Sequence, residues 1–408
     1  MSPIARRWSV LAVCVLCACG DGTTGPAVPG TLAVTPSNWL AVGAGVQVQF
    51  EVLVRDADGQ LQENPDVEWE ISIPQIASVD ANGLVTAVAD GVVEVRAVWM
   101  GAEGSASLEV YVPNEPSEYL PGVSYFGRND YTEYLPGTLP IVISAPHGGS
   151  LQPDEIPDRT YGVIATDRET EPTIRAVREA FLTRMGAAPS IVVTHLRRNK
   201  LDPNREVVEA AQGSPFAERA WAEHHGFIDR GKADVSQAFG WGLYLDLHGH
   251  GHPEARLELG YLLSPTELAL DAPALDALAD ESSLLDLASR TSVGFSELIR
   301  GDDSLGSLLA ALGVRAVPSG PEPDPGTEPY FRGGYSTARH GSRDGGVVSG
   351  IQLELNFEGI RDTAPNREAF AAVLAEAVDA FLDAHIGPEW DVPPGSALRV
   401  TEMVGRRP

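Results

Sequence analysis

The pattern of apolar and polar positions divides the chain into two regions with different periods. From Thr31 to Val112 the apolar residues come in short alternating runs. In the clearest, Val46, Val48, Phe50, Val52 and Val54 fall on every second position, which predicts one strand with a single buried face. Trp69 continues the period-two signal as a core residue, and Asn82-Gly83 is a hairpin turn ahead of Leu84 to Val88. Val92, Val93, Val95 and Ala97 lead to a last strand from Ala106 to Val112. Many short strands at even spacing predict a β-sandwich over 31–112.

From Leu139 the period changes. Apolar strands ending at Ala145, and at Ser190 to Thr194, Gly242 to Leu247 and Gly350 to Leu355, alternate with helical stretches. The helices are expected near Thr170 to Met185, Pro215 to His225, Leu268 to Leu278, Thr291 to Arg300, Asp303 to Leu312 and Asn366 to His385. That alternation predicts an α/β domain over 118–387, with a mostly parallel sheet and helices on both faces. A Gly-, Thr- and Pro-rich stretch at 20–30 reads as a tether, 113–117 as a linker and 388–408 as a tail. Glu118-Tyr119-Leu120-Pro121-Gly122 recurs as Glu133-Tyr134-Leu135-Pro136-Gly137, which reads as local turn chemistry because no third copy follows.

The formal charge of −28 over 408 residues argues against nucleic acid as a partner. Phosphate binding needs clustered Lys and Arg, and the one basic cluster, Arg197 to Lys200, is short. All three cysteines, Cys14, Cys17 and Cys19, lie near the N-terminus, so the body of the chain has neither disulfide nor thiolate metal site. Arg6 and Arg7 precede an apolar segment, Trp8 to Ala18, that is too short to span a bilayer and has the layout of a secretion signal. It ends Leu16-Cys17-Ala18-Cys19, which resembles a bacterial lipobox. That resemblance implies a signal peptide over 1–19, lipidation of Cys19 and attachment to the cell envelope, with the outer membrane the expected site.

Two strands end in histidine. Ile141 to Ala145 runs into Pro146-His147-Gly148-Gly149, and Tyr244-Leu245-Asp246-Leu247 into His248-Gly249-His250-Gly251-His252. Functional residues of open α/β sheets collect at the carboxyl ends of strands, so His248 reads as a metal ligand. Asp167-Arg168-Glu169, Arg197 to Glu206, and Gln352-Leu353-Glu354-Leu355-Asn356 add carboxylates, arginines and asparagines at strand ends or in adjoining loops. Two His and one carboxylate with an open fourth position make a catalytic zinc site, and a separate Glu then deprotonates the bound water. Arg with a neighbouring Asn grips a carboxylate.

Two resemblances follow. Val67 to Ile71, Ile76-Ala77-Ser78-Val79-Asp80, Asn82 to Ala87 and Gly91 resemble the bacterial immunoglobulin-like domain of group 2. From Glu118 to about Gly387 the chain resembles the N-formylglutamate amidohydrolases, which are similar in turn to zinc carboxypeptidases. The second resemblance implies a zinc carboxypeptidase-like fold with His147, Asp167 and His248 as Zn2+ ligands and Glu354 as general base. It also implies Arg198, Asn204 and Arg205 as substrate-binding residues. Glu155 and Glu169 are the other candidates for the second ligand, and Glu358 for the base. His250 and His252 read as solvated or supporting residues. His224 and His225 are candidates to line the cleft, and Tyr335 and His340 stand in a loop that either closes over substrate or is a mobile surface segment.

Pro203 stands where this family has Leu, and the His-rich turn stands where it commonly has Ser. The expected activity is hydrolysis of an amide in a peptide or other substrate with a free carboxylate. The alternatives are a carboxypeptidase or γ-glutamyl hydrolase acting on cell-wall or polyglutamate peptides, and a non-catalytic surface-binding lipoprotein.

Overall fold

A computed structural model describes residues 28–393. The segments expected as signal peptide and lipobox, with Cys19, and most of the expected tether and tail lie outside the described residues. The contacts divide the chain into two units, 1–112 and 113–408.

The first unit is a β-sandwich. Its strands are β1 (Pro29–Thr35), β2 (Asn38–Val42), β3 (Gln47–Gln49), β4 (Glu51–Asp56), β5 (Glu68–Ile71), β6 (Ala77–Val79), β7 (Leu84–Ala87), β8 (Gly91–Trp99) and β9 (Ala102–Tyr111). They form sheets of order β1-β4, β2-β9-β8-β5 and β3-β7-β6 around a shared core that includes Phe50, Val85, Val95 and Leu108. The run from Val46 to Val54 is two strands and not one. β3 pairs with β7 and β4 with β1, so the chain changes sheet at Phe50, whose N–H bonds to the Gly83 carbonyl at 2.9 Å. Val46 is exposed, whereas Val48, Phe50 and Val54 are buried. The turn at Asn82-Gly83 joins β6 to β7. Gly83 has φ of 78°, and the Asp80 carboxylate accepts the N–H groups of Asn82 and Leu84. Trp69 is half-buried and packs against the core.

The second unit is an α/β domain on an eight-stranded sheet. Its strands are β10 (Tyr125–Phe126), β11 (Thr132–Leu135), β12 (Ile141–Ala145), β13 (Ser190–Thr194), β14 (Gly242–Gly249), β15 (Leu257–Gly260), β16 (Ala316–Val317) and β17 (Val348–Leu355), in the order β10-β11-β13-β12-β14-β17-β15-β16. The centre, β13-β12-β14-β17, is parallel, and antiparallel pairings hold β10, β11 and β15. The second Glu-Tyr-Leu-Pro-Gly segment is therefore largely strand β11, because β13 offers it a partner edge.

Helices α1 (Thr170–Met185), α2 (Val207–Ala211) and α3 (Pro215–Phe239) come between the central strands. Ser214 caps α3, Pro215 opens it and Gly240 closes it with φ of 76°. It runs to Phe239, well beyond the expected end at His225, because its inward face stays apolar through Ile228, Val235 and Phe239. Five short helices, α4 (Pro265–Leu268), α5 (Ala272–Asp276), α6 (Leu285–Arg290), α7 (Phe295–Arg300) and α8 (Leu305–Ala311), then precede α9 (Tyr335–His340) and α10 (Ala364–His385). Trp390 is buried, with its indole N–H on the Asp379 carboxylate at 3.2 Å, so chain beyond Gly387 belongs to the packed domain.

Alternation along the central strands sorts side chains to the two faces of the sheet. Ile141, Ile143, Leu243, Leu245, Leu247, Ile351 and Leu353 share a core with α1 and α10. The intervening positions Val142 and Tyr244 pack with Ile228 and Val235 of α3. On that second face, toward the carboxyl ends of the strands, the alternate positions become Ser144, Asp246, His248, Gln352 and Glu354, all buried. The register sets Ser144 beside Asp246, Asp246 beside Gln352, and His248 beside Glu354. A polar row so deep is costly unless its members bond to one another or to a ligand.

Candidate metal centre

His147 lies two residues past the end of β12, and His248 lies near the end of the adjacent parallel strand β14. The two rings are 4.8 Å apart between centroids, with the Nδ1 atoms 3.1 Å from each other. Asp167 enters from the loop before α1. Its Oδ2 is 3.2 Å from both Nδ1 atoms and also accepts the Gly249 N–H at 3.2 Å. The three atoms thus form a nearly equilateral triangle, and all three residues are buried.

The glycines after His147 let the chain come this close. A Cβ on Gly148 would lie 2.5 Å from Thr170 Oγ1, and one on Gly149 would lie 2.2 Å from the His195 carbonyl carbon. The Asp167 carbonyl in turn accepts the Thr170 hydroxyl at the start of α1.

Behind each ring stands a second carboxylate. His147 Nε2 is 2.7 Å from Asp202 Oδ1, and His248 Nε2 is 3.2 Å from Asp246 Oδ2. Burial pushes the Asp202 carboxyl up, but His147 and Arg198 override it and hold it well below the usual carboxylate range. For Asp246, burial is likewise overridden, by His248 and the Ser144 hydroxyl, and the carboxyl is held at about 2. Ionised carboxylates only accept, so each Nε2 carries a proton, and each Nδ1 is the ring nitrogen left to turn a lone pair toward a cation beside Asp167. Three lone-pair atoms at 3.1–3.2 Å repel one another unless a positive charge sits among them. Consistent with that, burial disfavours charge on His248, yet Asp246 and Asp167 raise its proton affinity well above the ordinary imidazole value. Zinc bound tetrahedrally at about 2.0–2.2 Å places its ligand atoms about 3.3–3.6 Å apart, so the triangle is close to the size that ion takes.

Glu354 shares the cleft. Burial and the neighbouring carboxylates Asp167, Glu258 and Asp246 push it up to about 8, against the pull of His248. The Gln352 amide donates to its Oε1 at 2.9 Å. Of the other carboxylates, Glu155 is held by Arg128 and Tyr131, Glu169 pairs with Arg367 at 3.0 Å, and Glu358 is exposed in the turn after β17.

The cleft has a volume of about 920 Å³ and is lined by Arg198, Asn204 and Arg205 among others. Arg198 directs Nε to Asp202 at 3.1 Å and Nη1 to Asp167 at 3.4 Å. Asn204 accepts the Ser336 N–H and lies 3.4 Å from His248 Nε2. Arg205 is partly exposed and pairs with Glu209 at 3.2 Å.

His224 and His225 are buried in α3 and are absent from the cleft lining. His225 Nε2 donates to the Pro203 carbonyl at 3.0 Å, and its Nδ1 is 2.8 Å from His340 Nε2. Burial lowers His340 to about 4. His340 therefore belongs to the interior, on helix α9 and not in a surface loop, and Tyr335 stands against Trp221 and His225 at the start of that helix. Together with the Trp221 indole on the Arg205 carbonyl, these rings fix the loop that carries Asp202, Asn204 and Arg205.

Residues 31–110 match the bacterial Ig-like domain (group 2). This Ig-like domain contains, among the described residues, no group of three His, Cys, Asp or Glu close enough to hold an ion. No curated protein matches the chain. Among solved structures, the chain is similar to an N-formylglutamate amidohydrolase from Ralstonia eutropha JMP134, with 14% identity over 63% of this chain and 98% of that one and a TM-score of 0.41. A gene product from Agrobacterium tumefaciens has 14% identity over 61% of this chain and 92% of its own, with a TM-score of 0.37. Domains 4 and 5 of the S-layer protein SbsC have 21% identity over 21% of this chain and 54% of theirs, with a TM-score of 0.19.

Proposed function

We propose that the α/β domain is a zinc-dependent amidohydrolase that cleaves an amide bond of a carboxylate-bearing substrate at the cell surface. The observation that carries this reading is the triangle of His147 Nδ1, His248 Nδ1 and Asp167 Oδ2, with Glu354 in the same cleft. Two imidazoles and one carboxylate suit zinc better than calcium or magnesium, which take oxygen ligands. Zinc held there supplies Lewis acidity, polarising the amide carbonyl and making water acidic near neutral pH.

The protein's own residues do the rest. Glu354, raised to about 8 by burial and its acidic neighbours, accepts the proton of the attacking water at a carboxylate oxygen. It returns that proton to the departing nitrogen, so the amine leaves neutral. Gln352 holds one Glu354 oxygen and thereby fixes which oxygen faces the reacting atoms. Arg205 and Arg198, with Asn204, make the cleft favourable for the substrate carboxylate. We further propose that Cys19 carries the lipid anchor that holds the enzyme at the envelope.

Elemental analysis of the purified full chain tests the reading. One zinc per chain is expected, and it should be lost in His147→Ala and His248→Ala. A wild-type protein that holds no zinc at saturating metal overturns the assignment and leaves the non-catalytic surface-binding role. Formyl-amino acids, γ-linked peptides and peptides with free C-termini, assayed side by side, then identify the bond cleaved.

A further inference from the structure

One group in the cleft is not used by the reaction above. His252 lines the cleft with its side chain 18% exposed, and its Nδ1 donates to Glu258 Oε1 at 2.8 Å. Glu258 is fully buried, and its other oxygen accepts the Phe331 N–H at 2.8 Å. The His252 and Phe331 rings are stacked, 4.5 Å apart and 15° from parallel, and Phe331 remains 44% exposed at the cleft wall.

His250, His252 and Glu258 lie close enough together to suggest a cation site, but His250 has no nitrogen to give. Its Nε2 donates to the Arg256 carbonyl at 2.8 Å, and its Nδ1 accepts the His252 N–H at 3.1 Å. The cluster is a hydrogen-bonded bracket that fixes one imidazole and one phenyl ring. With Nδ1 committed to Glu258, Nε2 is the ring nitrogen left to meet a ligand, and it has no hydrogen-bond partner among the described residues.

The sheet sets the distance from this bracket to the metal centre. Glu258 pairs with Glu354, and Glu354 pairs with His248, so Glu258 stands two strand spacings from His248, about 10 Å. An extended chain covers about 3.5 Å per residue, so bridging that gap takes about three residues. The cleft volume of about 920 Å³ lies at the upper end of the range of small-molecule sites.

Resting on the hydrolase reading, we propose that His252 and Phe331 form a second substrate subsite. The substrate is then a peptide-like chain of about three residues, with its scissile amide at the His147–Asp167–His248 triangle. His252 Nε2 hydrogen-bonds a backbone polar group of the far end, and the exposed Phe331 ring covers an apolar side chain there. A single acylated amino acid fills only the near end.

The test measures binding by calorimetry on the zinc-loaded full chain in a Glu354→Gln background, so that neither probe is consumed. The probes are N-formylmethionine and N-formyl-Met-Leu-Phe. We expect the tripeptide to bind at least about ten-fold tighter, and His252→Ala and Phe331→Ala each to shrink that ratio about ten-fold. Phe331 is 44% exposed at the cleft wall and outside the core, so its substitution leaves the fold intact even if His252→Ala does not. Equal binding of the two probes, or a ratio unchanged in both variants, overturns the subsite. So does a second zinc equivalent in the wild type that His252→Ala removes, which makes the cluster a metal site. If the ratios behave as expected but the wild type hydrolyses neither these probes nor the γ-linked and free-C-terminal peptides, the subsite stands and the hydrolase reading falls.

Discussion

Replacing Asp202 with Asn isolates the contribution of the carboxylate behind His147. Asp202 is fully buried, accepts from His147 Nε2 at 2.7 Å, and also meets Arg198 Nε at 3.1 Å and Arg159 Nη1 at 3.7 Å. The amide keeps the shape and an acceptor oxygen but removes the negative charge that makes His147 a stronger donor through Nδ1. A second effect works in the same direction. Arg198 loses one carboxylate and is drawn toward its remaining one, Asp167, 3.4 Å away, where it competes with the metal for that ligand. Loss of such a supporting partner typically lowers metal affinity about 10- to 100-fold, or about 1.4–2.8 kcal/mol. The assay is a competitive zinc titration against a chromogenic chelator at pH 7, with thermal unfolding recorded on the same samples. A Kd within about two-fold of wild type in a folded Asp202→Asn protein, a change of less than about 0.4 kcal/mol, refutes the reasoning.

The other predictions need less argument. Glu354→Gln should keep its zinc and lose about 10²- to 10⁴-fold in kcat, the usual worth of a general base; full turnover would reject that role. His195 is raised to about 9 because Glu133 and Glu171 override the effect of burial. Its stabilising contribution is therefore complete below its unfolded value of 6.5 and lost as pH climbs through about 9. The Tm gap between wild type and His195→Gln should thus narrow from pH 6 to pH 10, and a constant gap would contradict the ion pairing. Gly149→Ala drives a Cβ into the His195 backbone and should cost about 3 kcal/mol, read as a lower Tm; an unchanged Tm would mean the two loops are not in contact. Cys19→Ser should move the protein from the membrane to the soluble envelope fraction, and unchanged membrane association would exclude that anchor.

The long helices α1, α3 and α10 could be read from the sequence because their apolar positions repeat over many residues, and the central strands because buried parallel strands are apolar runs. The short α2, α6 and α9 could not, and the single helix expected over Leu268 to Leu278 is instead the end of α4 and a separate α5. Strands β10, β15 and β16 contain two to four residues, too few for any period to register. Glu-Tyr-Leu-Pro-Gly occurs once outside any strand and once largely as strand β11, and the difference comes from the partner edge of β13.

The same division runs through the site. His248 and Glu354 mark themselves as polar residues within apolar strands near their carboxyl ends, and His147 marks itself by following one two residues on. Asp202 does not, because its relation to His147, 55 positions earlier, exists only once the loop after β13 has folded back. Nor does the His225–His340 contact, which joins positions 115 apart.

Side-chain periodicity records which way a residue faces, and it is blind to which backbone the residue pairs with. The segment around Phe50 shows this directly. The inward set Val48, Phe50 and Val54 runs on through the point where the chain leaves β7 for β1, because both sheets bury the same side. A site assembled from facing alone, such as the polar row of Asp246, His248 and Glu354, is therefore legible in the sequence. One that depends on a loop returning to the sheet, such as the Asp202 brace or the His252–Glu258 bracket, emerges only from the fold.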